Sequence, residues 1–245
     1  EAQRKLKAFP ATARAVPVPA TLDTTPARDF TVGDQMVAAL SATIEDEDAL
    51  ILGSFTPLAY AAYNLAKLTT APNAFVVGYS GVDARPFQMG FHTSEAACIQ
   101  ESAGLWSMTE CIESLHFRGT GDVEAVSSAQ MDVNGDINIS WLPMPVKDAA
   151  GNPTGEWNRR ALRLPGGAGA PVVFGLHRKS VAYFPNHSRM VFVPKVNYVT
   201  GTRVYLTDEE RIAEGLKPGP IIVVTNPLDA MCEVAGTSDS DRITF

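Results

Sequence analysis

Two short segments of the sequence hold residues that could act on a carbonyl compound. In Tyr79-Ser80-Gly81 a phenol and a hydroxyl follow an apolar run. In the loop Gly166-Gly167-Ala168 glycine lets backbone N–H groups come close to a ligand. Both kinds of group can donate hydrogen bonds to an oxygen on which negative charge develops. The candidate catalytic residues are therefore Tyr79, Ser80 and Gly167, although a structural turn serine is the simpler interpretation of Ser80.

Other polar residues lie in the segment Ser128–Asn138. Its Asn134-Gly135 pair supplies the positive φ angles of a tight turn, so we predict a hairpin over residues 125–140. Hydrogen bonds that satisfy the hairpin backbone explain its polar side chains as well as ligand binding does. The candidate binding residues are Ser54, Gln130, Asp132, Asn138, Gly166, Ala168, His187 and Arg189.

The charge distribution limits the possible ligands. The formal net charge of −7 argues against a general nucleic-acid binder, which needs a basic face. From Arg159 to Arg203, however, the sequence has basic residues and no Asp or Glu. Such a stretch could bind a polyanion or an acidic partner, or it could be a solvated face balanced by acids folded nearby.

Cysteine content and hydropathy bear on the compartment. The three cysteines are an odd number without metal-ligand spacing, so we expect neither a disulfide framework nor a zinc site, and we predict a cytoplasmic protein. No apolar run approaches the roughly 20 residues of a membrane span. The first 30 residues are rich in Ala, Pro and Thr and are interpreted as an N-terminal extension, 1–30, before one globular domain, 31–245.

The elements that must position these residues follow from hydrophobic periodicity. Helical spacing after the capping residue Thr31 predicts a helix to Ala42, and Pro57 to Leu68 has apolar residues on one side. Apolar runs around Ile51 and Val76 flank that second helix and predict a βαβ unit, hence a parallel sheet covered by helices. Ligands of such sheets bind at the carboxyl ends of the strands, where Ser54 and Tyr79 lie. Further strands are predicted at 191–199 and 221–225, a helix at 208–214, and an exposed excursion at 144–158.

Four ordered segments resemble the B subunits of glutaconate CoA-transferase and its relatives. They are Pro72–Gly81, Ala129–Asn138, Gly166–Ala168 and Arg189–Thr200. The resemblance runs from Ile51 to Val224, with a weaker match after Glu210. It implies a single α/β domain with an open, largely parallel sheet flanked by helices. It also implies that the chain acts on acyl-CoA thioesters, with coenzyme A as part of the substrate and no tightly bound cofactor, together with a homologous A subunit in a heterodimer or heterotetramer.

One position departs from the family pattern. Tyr79 stands where the family has the glutamate that forms an acyl anhydride and then a glutamyl-CoA thioester. A phenol with an ordinary pKa near about 10 cannot form that anhydride, so the resemblance predicts that transfer through this position fails. Relatives without this glutamate include a hydrolase of ring-derived CoA thioesters, to which the Asn-His-Ser stretch at His187 is similar, and a decarboxylase. Tyr79 could then act as an acid or oxyanion donor, or simply fill the space of an inactive site.

Three functions follow from the resemblance. The first is the beta subunit of a heteromeric enzyme that acts on CoA thioesters by a hydrolase or lyase reaction. The second is ordinary CoA transfer with the carboxylate supplied elsewhere. The third is a non-catalytic scaffold subunit that completes the site of its partner. The region least like the family contributes further titratable residues whose roles stay open: His92, Glu95, Glu101, Glu110, Glu113 and His116.

Overall fold

The computed structural model describes residues 29–79, 81–84, 102–203, 206–226, 232–234 and 243–244. Nearly all of the predicted N-terminal extension, and the candidate residue Ser80, lie outside these ranges. The described strands are β1 Ala49–Ile51, β2 Phe75–Val77, β3 Gly81–Ala84, β4 Ser102–Leu105, β5 Val123–Ser127, β6 Gln130–Asp132, β7 Ile137–Asn138, β8 Trp141–Lys147, β9 Pro153–Arg163, β10 Lys179–Phe184, β11 Phe192–Val193, β12 Ile221–Thr225, β13 Cys232–Val234 and β14 Ile243–Thr244. The described helices are α1 Val32–Ser41, α2 Pro57–Leu68, α3 Met108–Cys111, a π-helix Ile112–Phe117, α4 Ala170–Leu176 and α5 Asp208–Ala213.

The main sheet has nine strands among the described residues, in the order β14-β13-β12-β10-β5-β1-β2-β3-β4. The five strands from β12 to β2 are parallel, and antiparallel pairs flank them at both ends. Ala49 pairs with Phe75 across β1 and β2, which α2 connects, so the predicted βαβ unit is confirmed. The fold is therefore the predicted open, largely parallel sheet flanked by helices.

Helices α1 and α2 cover one face of the sheet. The Thr31 hydroxyl accepts a hydrogen bond from the Asp34 N–H, and the Asp34 carboxylate accepts one from the Thr31 N–H, so a capping box begins α1 at the predicted residue. Leu40 and Tyr60 pack in a core with Leu50 of the sheet. None of the described helices has the length and apolar character of a membrane span.

The opposite face of the sheet carries α3, the π-helix, α4 and a small three-stranded sheet. Side chains alternate along the strands, so Leu50 faces α1 and α2 whereas Ile51 packs against Leu115 of the π-helix. Phe174 of α4 packs beside Phe184 of β10. The candidate site lies in this second layer.

The predicted hairpin is shorter than expected. Gln130 pairs with Asn138 around a turn in which Gly135 has φ +81°, but residues 123–127 form a strand of the main sheet. The strand predicted at 191–199 is reduced to β11, which pairs with β6. The exposed excursion predicted at 144–158 is the turn and adjoining part of an antiparallel ribbon formed by β8 and β9.

Candidate functional site

Tyr79 follows β2 on the face that carries the π-helix. Phe75 and Val77 point to the same face, and the half-buried Tyr79 ring packs against their cluster. The centroid of that ring lies 6.4 Å from the centroid of the His116 ring. Burial, followed by the nearby charge of Glu124, raises the pKa of the Tyr79 phenol above its ordinary value. Tyr79 is therefore a neutral hydrogen-bond donor at physiological pH and is unsuited to nucleophilic attack.

The end of β1 lies next to Glu124. A Cβ added at Gly53 would lie 2.9 Å from Glu124 Oε1, so glycine allows the backbone to pass this carboxyl group. Ser54, the next residue, is exposed. The carboxyl ends of β1 and β2 thus lie beside a buried carboxyl group that the sequence did not predict.

Three titratable side chains from distant parts of the sequence meet in the buried second layer. Glu124 is the second residue of β5, and it faces this layer because its neighbours Val123 and Ala125 face α1 and α2. His116 lies in the π-helix and His177 directly follows α4. One ligand atom from each lies within 4.8 Å of the other two. The relative exposures are 3% for His116, 4% for Glu124 and 0% for His177.

Burial keeps this cluster uncharged at neutral pH. Desolvation raises the pKa of Glu124 to about 8 and lowers the pKa of His116 to about 4. Desolvation also lowers the pKa of His177 to about 3, with smaller contributions from nearby positive charges. Although His116 Nδ1 and Glu124 Oε2 are only 3.7 Å apart, they are not an ion pair near pH 7.

The cluster has unused hydrogen-bonding capacity. Within the described structure, both ring nitrogens of His116, both of His177, and Glu124 Oε2 are buried without a hydrogen-bond partner. Buried polar atoms are normally paired, so each exception requires an explanation. Cys111 lies in the adjacent apolar cluster, where burial and the Glu124 charge raise its pKa to about 12. That thiol is too weakly acidic to serve as a nucleophile.

Most of this cluster is absent from the candidates chosen on sequence. His116 has no predicted role there, and Glu124 and His177 are not among the predicted site residues. The signal for Glu124 is a carboxyl group inside the apolar strand Val123–Ser127, which is rare without a partner or a function. The proximity of the three residues depends on sheet order and has no local sequence signal.

The polar residues of the hairpin bind one another and the backbone. The Gln130 amide donates to Asn197 Oδ1 over 2.8 Å, and Gln130 Oε1 accepts from Asn138 Nδ2 over 2.9 Å. Asp132 accepts from the N–H groups of Asn134, Asp136 and Val196. Asn138 is fully buried and also bonds to the backbone of Ser140 and Trp141. Since these contacts use the polar groups within the fold, the structure supports the backbone-satisfying interpretation.

The glycine loop packs on the same framework. The Gly166 N–H donates to the Ile139 carbonyl over 2.9 Å, so it is not free to bind a substrate oxygen. Gly166 has φ +98° and Ala168 has φ +42°, a backbone conformation that requires a small residue at the first position. A Cβ at Gly167 would lie 2.3 Å from Thr200 Cγ2, so Gly167 is required for close packing.

The remaining candidates lie on the surface. His187 is exposed, its Nδ1 is 3.3 Å from Thr225 Oγ1, and its ring centroid is 4.7 Å from that of Phe192. Arg189 is exposed. The structure thus collects the hairpin and glycine-loop candidates in one framework and places Tyr79 beside the buried cluster.

The basic stretch divides into buried and exposed residues. Arg178 binds Glu45, Asp48 and Asp122, and Lys179 binds Glu45 and Asp48. Acids folded nearby therefore balance these two charges, which is the simpler of the two interpretations. The buried Arg203 guanidinium donates to backbone carbonyls, among them those of His177 and Gly219. Arg159 and Arg160 on β9 are exposed, and polyanion binding there stays a prediction.

Known proteins share this fold. No family model matches the sequence. A curated relative, the B-type chain of the 3-oxoadipate CoA-transferase from Pseudomonas knackmussii, is 24% identical over 199 residues, which are 80% of this chain and 71% of the relative. The decarboxylase AibA/AibB matches 84% of this chain and 75% of its own, with 19% identity and a TM-score of 0.65. Glutaconate coenzyme A-transferase from Acidaminococcus fermentans matches 85% of this chain and 76% of its own, with 19% identity and a TM-score of 0.63. These findings confirm the predicted resemblance and the CoA-transferase-like fold.

Proposed function

We propose that this chain, which resembles the B subunits of CoA-transferases, is one subunit of an enzyme that acts on acyl-CoA thioesters without a covalent glutamyl intermediate. The observation that carries the proposal is the state of Tyr79, a half-buried phenol whose pKa is raised at the position of the family's nucleophile. The likeness of the fold to that of a decarboxylase supports chemistry other than transfer.

In the proposed reaction Tyr79 binds the oxygen of the thioester carbonyl. Its neutral hydroxyl donates a hydrogen bond that strengthens as negative charge develops on that oxygen during water attack or carbon–carbon bond cleavage. The raised pKa keeps the proton on the phenol, so Tyr79 stabilises charge and does not form a bond to the acyl group. A catalytic carboxylate would come from a homologous A subunit in the cytoplasm, as the resemblance implies.

A second candidate function is CoA transfer through Glu124. This residue is a carboxyl group near Tyr79 and supplies what the family chemistry needs. Its burial favours the first proposal, because a carboxyl group that is 4% exposed and has a pKa of about 8 is a poor nucleophile near pH 7.

The test measures CoA species by mass-resolved chromatography after the purified chain, with its co-expressed partner, meets a panel of acyl-CoAs. Products that form equally with and without a free carboxylic acid are expected. CoA on the acceptor, or a CoA adduct on Glu124 in the intact-mass spectrum, would establish transfer instead. In the Tyr79→Glu variant, acceptor-dependent transfer and a CoA adduct on this chain are expected to appear.

The Tyr79→Phe variant separates catalysis from a scaffold role. Loss of one oxyanion donor is expected to lower turnover by about 10²- to 10³-fold. Tyr183→Phe is the matched control, because Tyr183 is buried on the opposite face of the sheet. Unchanged turnover in Tyr79→Phe would support a non-catalytic scaffold subunit. A Gly167→Val variant is less suitable for this purpose, since it also disturbs packing on Thr200.

A further inference from the structure

The buried cluster of His116, Glu124 and His177 has the composition of a metal site. Two imidazoles and one carboxylate are a ligand set that proteins use for Zn²⁺ and other divalent first-row metals. The three residues come from the π-helix, from β5 and from the residue after α4, so three packed elements fix their backbones. The five buried ring-nitrogen and carboxylate atoms without a partner are independent evidence that a ligand is expected there.

We propose that His116, Glu124 and His177 bind one divalent transition-metal ion, with zinc as the reference ion. The proposal goes beyond the proposed function and does not rest on it. Tyr79 is a neighbour of the site and is not one of its ligands.

The distances suit an unfilled site. One ligand atom per residue lies within 4.8 Å of the others, and His116 Nδ1 is 3.7 Å from Glu124 Oε2. Ligand atoms of a tetrahedral zinc site, with bonds of about 2.0–2.2 Å, lie roughly 3.3–3.5 Å apart. The widest edge of the cluster would therefore shorten by at most about 1.5 Å. Rotation of the side chains about their own torsions supplies such a movement without a change of the backbone.

Two glycines keep the space around the cluster open. A Cβ at Gly121 would lie 2.4 Å from Ile51 Cδ1 and 3.1 Å from His177 Nε2. A Cβ at Gly53 would lie 2.9 Å from Glu124 Oε1. Any larger residue at either position would displace the imidazole or the carboxyl group. Glycine at both positions thus preserves the arrangement of the ligand atoms.

The π-helix is the local structure that presents His116. Its wider turn runs from Ile112 to Phe117, directly after α3. Such turns are rare and occur frequently at functional sites. The His116 ring stacks on the His177 ring, with centroids 5.0 Å apart and planes inclined by 23°. The stack brings the two imidazoles together even without an ion.

Three protein ligands leave one position of a tetrahedral ion open. Structural zinc sites are usually closed by four protein ligands, whereas catalytic sites keep a position for water or substrate. The Tyr79 side of the cluster, next to the ends of β1 and β2, is where that position would meet a bound molecule. The inference concerns metal binding, which is measurable without any substrate.

The test uses the full chain, freed of metal by a chelator and then titrated with Zn²⁺ by calorimetry and with Co²⁺ by visible absorption. One ion per chain is expected, with the Co²⁺ spectrum of a nitrogen- and oxygen-ligated site. Glu124→Gln and His177→Asn are each expected to weaken binding by at least about 100-fold, the upper end of the loss caused by an outer-shell change. Thermal unfolding of the wild type is expected to shift upward with Zn²⁺, and that of these variants is not.

Two variants serve as controls. Glu124→Gln is expected to fold without metal, because the glutamine amide is close in shape to the protonated carboxyl group. His187→Asn removes an exposed histidine outside the cluster and is expected to bind metal like the wild type, as is Tyr79→Phe. The proposal is wrong if the folded wild type binds no ion. It is equally wrong if Glu124→Gln and His177→Asn keep wild-type affinity, or if only changes at His92 or His187 remove binding.

Discussion

Substitution of Gly167 by alanine tests whether the glycine loop serves packing or catalysis. The new Cβ would lie 2.3 Å from Thr200 Cγ2, far below the 3.5–4.0 Å or so of a normal carbon contact. Thr200 is held in place, because its hydroxyl accepts from the Ile139 N–H over 3.0 Å and pairs with the Ser140 hydroxyl over 2.8 Å. Relief of the clash by rotation of Thr200 would therefore break two hydrogen bonds.

The expected loss combines these effects. Overpacking costs about 1–3 kcal/mol, and two hydrogen bonds contribute about 0.5–1.5 kcal/mol each. The lower backbone entropy of unfolded alanine returns about 0.4–1 kcal/mol, so the free energy of unfolding should fall by about 2–5 kcal/mol. Gly169→Ala is the matched control, because its Cβ would meet nothing closer than Val173 Cγ2 at 3.9 Å. It should change the free energy of unfolding by less than about 1 kcal/mol.

Urea denaturation of both variants measures the difference, with the m-value checked for constancy. If Gly167→Ala is as stable as Gly169→Ala, the packing argument is refuted. Wild-type stability of Gly167→Ala together with a loss of turnover would instead show that the loop approaches the substrate through its backbone.

Two further predictions concern ion pairs. Lys67 forms a buried ion pair with Asp83, so Lys67→Met should lower the free energy of unfolding by about 3–5 kcal/mol because it leaves a buried carboxylate unpaired. A loss below about 1 kcal/mol in denaturation would contradict that interpretation. The pKa of the exposed Glu45 is lowered chiefly by its hydrogen bond to Lys179, so its stabilisation is present above its ordinary pKa and is lost as the pH falls through the lowered value. Glu45→Gln should therefore cost at most about 1 kcal/mol at pH 7 and progressively less toward pH 3, whereas a difference that grows on acidification would exclude this pairing.

Elements specified by local sequence were predicted well. The cap at Thr31 and the apolar spacing of Pro57–Leu68 depend only on neighbouring residues, and both helices form at the expected positions. The apolar run Ile221–Thr225 is a buried strand over its predicted length. In these cases periodicity and capping agree with the tertiary structure, so no long-range information was needed.

Elements that depend on long-range contacts were missed. β10 was not predicted although all six of its residues are buried, because its first residue is Lys179, whose charge is balanced by acids near residue 48. The strand predicted at 191–199 ends at Val193, since Pro194 has no N–H to donate and Asn197 binds Gln130 instead. In both cases the outcome depends on residues far away in the sequence.

The candidate site shows the same division between local and distant information. The motifs that carry the resemblance, namely the hairpin, the glycine loop and the segment up to Thr200, bind one another through Gln130, Asn138 and Gly167. Their spacing is therefore a signature of a structural framework and can persist when the chemistry changes. Tyr79 lies in the separate layer beside the π-helix, where a single substitution alters the reacting group without disturbing that framework. It follows that motif matches identify the fold of such a chain, while its reaction must be inferred from the residues around Tyr79.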